Sequence, residues 1–245
     1  MTTWLMLYPF LRIPDHFGYL SVTGVSAPPP PVSPPPAPAK AYIASFQWPI
    51  TVCSTNNCTD KKDPLPESFK LHGLWPTAPS WYPSLVNCTG GDKFSGNVVK
   101  PFRQDLVKYW PSYFMRENAF WEYEWNKHGR CSGMPVQDYF KEGVRLTKLH
   151  SPKLLNGLAK SAIRPGSYSA TPDAIRNAIE TNLGVRSQLT CAKTGTEKLE
   201  IFWLKEIHLC MDQTFNIQDC PTTGWLDHCG KNSASGSTKI KFPNN

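Results

Sequence analysis

Two of the six histidines sit among residues that together could do chemistry. His72 lies in Phe69-Lys70-Leu71-His72-Gly73-Leu74-Trp75-Pro76. An apolar strand that ends in histidine and glycine can keep its backbone in a sheet while the ring faces a cleft. His128 lies in Phe120-Trp121-Glu122-Tyr123-Glu124-Trp125-Asn126-Lys127-His128-Gly129-Arg130-Cys131. On a helix, residues three and four apart share a face. Phe120, Glu124, Lys127 and His128 therefore form one stripe, and Trp121 and Trp125 form a second, apolar stripe suited to a core. Cleaving a phosphodiester through the neighbouring 2′-hydroxyl needs a base for the hydroxyl proton and an acid for the leaving 5′-oxygen. It also needs positive charge for the transition state. Two imidazoles can divide the first two tasks, and a lysine supplies the third. A carboxylate one turn before His128 is expected to raise that ring's pKa. The plainer alternative is a surface ion pair on a helix beside a satisfied histidine.

The elements that must position these groups read as a mixed set. Tyr42 to Trp48 and Ser68 to Leu74 have strand character, closed by Pro49 and Pro76. Pro101 opens a helix through Trp110, and a second helix runs from about Asn118 to His128, stopped by Gly129. Val136 to Leu149 is helical in period, which places His150 at a helix end. Thr171-Pro172-Asp173 caps a helix that ends at Gly184. Beyond Arg186, β-type stretches dominate, including Leu199 to Leu209, and Thr238 to Phe242 reads as an edge strand. Helices in the middle and strands at both ends predict an α+β fold with a single domain over 41–245.

Composition bounds the class. The 245 residues are 40% hydrophobic and 18% charged, with a net charge of +7. That is ample for a packed core and excludes a disordered chain. No run of 18 uncharged apolar residues occurs, so no membrane-spanning helix and no membrane partner is expected. The basic balance permits a polyanionic partner without requiring one. Eight dispersed cysteines with no Cys-x-x-Cys spacing argue against a zinc ribbon or a redox pair, and no metal or cofactor is expected. Asn57-Cys58-Thr59 and Asn87-Cys88-Thr89 are glycosylation sequons. With eight cysteines they indicate a secreted, extracellular glycoprotein. Counting leaves 105 pairings open. Residues 1–26 read as a degenerate signal peptide or a misassigned N-terminus. Residues 27–40 form a proline-rich linker, with eight of the 24 prolines favouring extended polyproline geometry. His16 falls outside the domain, while His150, His208 and His228 read as structural or solvated.

His-Gly-Leu-Trp-Pro followed by Phe-Trp-x-x-Glu-Trp-x-Lys-His-Gly-x-Cys resembles the two active-site segments of the ribonuclease T2 family of secreted acid ribonucleases. Plant self-incompatibility ribonucleases (S-ribonucleases) and their S-like relatives belong to it. Gln47-Trp48-Pro49 and Tyr82-Pro83-Ser84 match as well, and the likeness spans Tyr42 to the C-terminus. It implies a central antiparallel sheet and metal-free cleavage of single-stranded RNA through a 2′,3′-cyclic phosphate, by a monomer. His72 resembles the acid toward the 5′-oxygen and His128 the base, with Glu124 and Lys127 as transition-state stabilisers. Gln47, Trp75, Tyr82 and Phe120 correspond to base-binding positions, the aromatic ones as stacking platforms. The resemblance also implies the disulfides Cys53–Cys58, Cys88–Cys131, Cys191–Cys229 and Cys210–Cys220.

Many S-like enzymes carry a third histidine where this chain has Tyr123. With the basic charge and the eight cysteines, this points to the S-ribonuclease branch and to pollen-side F-box-type recognition factors as partners. The competing functions are an S-like enzyme of defence or phosphate recycling, an inert storage or recognition protein on the same scaffold, and a basic RNA-binding module.

Overall fold

The computed structural model describes residues 39–59, 64–78, 84–167, 170–196, 199–222, 228–229 and 238–245. The signal-like segment, almost all of the linker and Tyr82 lie outside them. The elements in order are β1 (Ala41–Gln47), α1 (Pro49–Thr55), β2 (Lys70–Thr77), α2 (Gly96–Val99), α3 (Arg103–Tyr109), α4 (Glu117–Lys127), α5 (Val136–Lys160), α6 (Pro172–Leu183), β3 (Gln188–Thr196), β4 (Leu199–Asp212), β5 (Ile217–Gln218) and β6 (Ile240–Lys241). Short 3₁₀ turns occupy Lys100–Phe102 and Gly129–Ser132. The sheet has the order β2-β1-β4-β3 with antiparallel neighbours; β5 and β6 both pair with β4, the latter in parallel. This is an α+β fold.

One face of the sheet is apolar. Ala44 and Phe46 on β1, Leu71 and Leu74 on β2, and Ile207 and Leu209 on β4 are fully buried and join one core with Phe140, Leu154 and Leu158 of α5. Alternation along a strand sends every second side chain to the opposite face, so Ser45, Gln47, Glu206 and His208 are left on the other side.

Four local readings change. Pro49 closes β1 but also starts α1, because a proline at the first helical position surrenders an N–H that would have no partner. Pro76 lies inside β2, an edge strand. Its carbonyl accepts Leu85 N–H at 2.9 Å on the outer side, where the missing N–H would point. Helix α5 continues past Leu149 through Pro152 to Lys160; burial of Leu154 and Leu158 outweighs the lost hydrogen bond. His150 is therefore mid-helix and buried, not at a helix end. The cap at Thr171, whose hydroxyl accepts from Ala174 N at 3.1 Å, and left-handed Gly184 bound α6.

Candidate active site

A bulge aims the first histidine. Between β1 and β2 the register has Ser45 opposite Gly73 and Phe46 opposite Leu71, which leaves His72 as the extra residue. Such bulges redirect a side chain and strengthen local twist. The bulge is pinned by Gln47 Nε2, which donates to the Leu71 carbonyl at 3.3 Å, and by Trp110 Nε1, which donates to the His72 carbonyl at 2.9 Å. Across β1, Ser45 faces His208 and Gln47 faces Glu206 on β4. The His72 ring reaches over this stripe, and its Nδ1 lies 2.9 Å from Glu206 Oε1.

Helix α4 supplies the second histidine. Trp121 and Trp125 are fully buried, and their indole N–H groups donate to the carbonyls of Trp110 and Asp92, both at 2.9 Å. This anchoring leaves Glu124 and His128 buried against the sheet, with Lys127 and Phe120 half-buried. His128 closes the helix by donating its backbone N–H to the Glu124 carbonyl at 2.9 Å. The Cys88–Cys131 disulfide and the Asn87 N–H donated to the Lys127 carbonyl at 2.8 Å hold the segment before Cys88 against this helix end. Lys127 Nζ donates to the Tyr123 hydroxyl at 3.1 Å.

Trp75 packs against the imidazoles. Its ring centroid is 5.4 Å from that of His72, 5.6 Å from His128 and 5.9 Å from His208. At 7% exposure the indole is a buried contact shared by both rings. Gly73 makes room for it, since a Cβ there would fall 2.1 Å from Trp75 Nε1 and 2.7 Å from Glu124 Oε2.

The two rings are biased toward opposite protonation states. Burial pushes the His72 pKa down, but the adjacent Glu206 carboxylate and the more distant Glu124 outweigh it and Lys205, and the net shift is upward. His128 is lowered to about 3, chiefly by burial and then by the Lys127 ammonium and His72, against the Leu85 carbonyl. Burial raises Glu124 to about 7, although His72, Lys127 and the Trp75 indole pull it down. Glu206 is also buried, yet the positive charge and hydrogen bond of His72 hold it near 2. Glu124 thus acts on His72, and the expected rise of the His128 pKa is corrected to a fall. Desolvation scales with burial, whichever residue lies one helical turn away.

His72, Glu124, Lys127, His128 and Trp75 come together at one place. Gln47 lies beneath them with its amide N–H engaged by the bulge; Phe120 packs at the edge of the core. The bridges Cys53–Cys58, Cys88–Cys131, Cys191–Cys229 and Cys210–Cys220 are formed. Among the described residues no cysteine is free and no grouping of His, Cys, Asp and Glu is arranged to hold a metal. Asn57 and Asn87 are exposed. Glu206 is the residue that sequence reasoning missed. Its signal was the alternation Glu206-Ile207-His208-Leu209, which puts two ionisable groups on one face of a buried strand.

The sequence profile of the Ribonuclease T2 family matches residues 39–220. Ribonuclease 1 of Arabidopsis thaliana is 29% identical over 184 residues, 71% of this chain and 77% of that protein. A ribonuclease-like storage protein of Panax ginseng is 29% identical over 206 residues, 82% and 83% of the two chains. The crystal structure of RNase NT in complex with 5′-AMP superposes with a TM-score of 0.70 at 27% identity, covering 84% of this chain and 99% of the other. The chain belongs to the ribonuclease T2 family, and it is an endoribonuclease.

Proposed function

We propose that the protein cleaves single-stranded RNA by metal-free transphosphorylation, with His128 as base and His72 as acid. The carrying observation is the pair of imidazoles packed on one Trp75 indole, one flanked by carboxylates and the other desolvated beside an ammonium. Neutral His128 takes the 2′-hydroxyl proton as the 2′-oxygen bonds to phosphorus. Protonated His72 gives its proton to the 5′-oxygen as that P–O bond breaks, leaving a 2′,3′-cyclic phosphate and a free 5′-hydroxyl. Lys127 and Glu124, neutral below about pH 7 and then a donor, stabilise charge on the phosphoryl oxygens. Base contacts are assigned to Gln47, Trp75, Tyr82 and Phe120.

Incubation of the purified protein with RNA and a chelator, with products read by ³¹P NMR, tests this reading. A cyclic phosphate is expected from the wild type and none from His72→Ala or His128→Ala. Wild-type-like turnover by either variant, or dependence on a metal, refutes it.

The same reading makes the protein a secreted monomeric glycoprotein of the S-ribonuclease branch, modified at Asn57 and Asn87. The net charge of +7 supports both an RNA substrate and a charged patch for pollen-side F-box-type factors. Tyr123 in place of a third histidine supports the branch. An inert storage role has less support, because both imidazoles are present and set in opposite states. Transcripts confined to styles are expected; induction in leaves by wounding or phosphate starvation assigns the enzyme to the S-like class.

A further inference from the structure

The carboxylate of Glu206 is built into the sheet in a way that fixes where it points. The residue is 6% exposed. Its Oε2 accepts from Ser45 Oγ at 3.2 Å and lies 3.6 Å from His208 Nε2. That ring is itself fully buried and sits 2.9 Å from Thr190 Oγ1. Contacts from β1 and β4 thus occupy one oxygen, and the other, Oε1, lies 2.9 Å from His72 Nδ1. A buried carboxylate without a counter-charge is unfavourable by several kcal/mol, so this one demands a proton donor on its open side. His72 Nδ1, 2.9 Å from Oε1, supplies it when protonated.

We propose that Glu206 is the positioning residue of the acid step: it keeps the proton on His72 Nδ1, so that the proton delivered to the leaving 5′-oxygen comes from Nε2. This rests on the acid role given to His72 above. In the step, the Nε2–H bond breaks, the O5′–H bond forms and the P–O5′ bond cleaves. The neutral ring that remains keeps its Nδ1 proton against Glu206. The carboxylate stays ionised throughout, and by holding the Nδ1 proton it leaves Nε2 as the nitrogen that gives up and regains a proton. The bulge supports the same outcome, because it tips the extra residue of β2 over β1 toward β4. His72 is acted on by Glu206 and Lys205 from β4 and by Glu124 from α4; Ser45 from β1 and His208 from β4 contact Glu206, and His128 packs on the same Trp75 indole. Among these groups only Glu206 combines negative charge with direct contact on Nδ1.

Glu206→Gln keeps the shape and an acceptor oxygen but removes the charge, and Glu206→Asp keeps the charge. With a dinucleotide substrate, the alkaline limb of kcat/KM in Glu206→Gln is expected to move down by about one pH unit or more, the shift given by an opposite charge at this distance. At pH values well above the His72 pKa the rate then falls roughly tenfold, since there one unit lowers the protonated fraction of His72 by that factor. KM is expected to stay within about twofold of the wild-type value, because no contact to substrate is removed. Glu206→Asp is expected to recover most of the alkaline limb. A purely structural role for Glu206 would lower the melting temperature and leave the alkaline limb in place, and that result overturns the proposal. Should Glu206→Gln fail to fold, imidazole ¹⁵N spectra of the wild type decide. Nδ1 protonated in the neutral ring supports the assignment, and a neutral His72 protonated at Nε2 alone overturns it. The spectra do so whether or not the protein cleaves RNA, so failure of the ribonuclease reading is separable.

Discussion

Replacing Gly73 with alanine adds one methyl group at the most crowded point of the site. The new carbon would stand 2.1 Å from Trp75 Nε1, 2.9 Å from Trp75 Cε2 and 2.7 Å from Glu124 Oε2. Carbon contacts settle near 3.5–4.0 Å, so the indole must retreat by more than about 1 Å. It cannot retreat freely, because its ring lies against those of His72, His128 and His208. Overpacking of this kind typically destabilises by about 1–3 kcal/mol. A displacement of about 1 Å in a catalytic geometry lowers the rate by roughly a hundredfold. Urea unfolding measures the first effect, and kcat on a dinucleotide, measured where the variant is fully folded, measures the second. We expect the fall in kcat to exceed anything that the loss of folded protein explains. A destabilised Gly73→Ala with wild-type kcat would show that the packing of Trp75 does not govern the chemistry.

Glu124→Gln should match the wild type most closely at acid pH and diverge above about pH 7, because the native carboxyl, raised to about 7, is already neutral below that point. Above it, loss of the negative charge lowers the His72 pKa and draws the alkaline limb downward; a constant ratio across pH contradicts this coupling. His150 is lowered to about 4, mainly by burial and then by Lys153 and Arg145. The unfolded chain therefore binds its proton first. The stability contributed by the neutral ring is complete above about pH 6.5 and is lost as pH falls toward 4, by about 3 kcal/mol. His150→Leu should flatten that slope in denaturant titrations, and an unchanged slope rejects the assignment. Removing the Cys88–Cys131 bridge by a double serine substitution should destabilise by about 2–4 kcal/mol. It should also lower kcat, because that bridge fastens the segment beside His128; wild-type kcat in the folded variant would argue otherwise.

Local signals carried much of the fold. The Thr171 cap and Gly184 bracket α6 closely, because both act within one turn of the residues they bound. The double stripe of α4 was legible for the same reason: a helical period assigns faces before any partner is known. Elements whose ends depend on packing were not legible. The helical period from Val136 reads as ending at Leu149 until the burial of Leu154 and Leu158 beyond it is known, and Pro76 reads as a strand end until β2 is seen to be an edge.

The functional groups divide along the same line. Sequence alone determined which side chains are available for acid–base chemistry, since His72 and the stripe of Glu124, Lys127 and His128 are set by neighbours a few residues away. Tertiary structure alone decided what state each is in. Glu206 meets His72 only because β1 lies between β2 and β4, and Glu124 acts on His72 rather than on its own helix neighbour. Burial, not chain proximity, drives the His128 pKa down. Charge interactions and desolvation depend on distance and solvent access in space, and neither quantity exists until the sheet and α4 have packed.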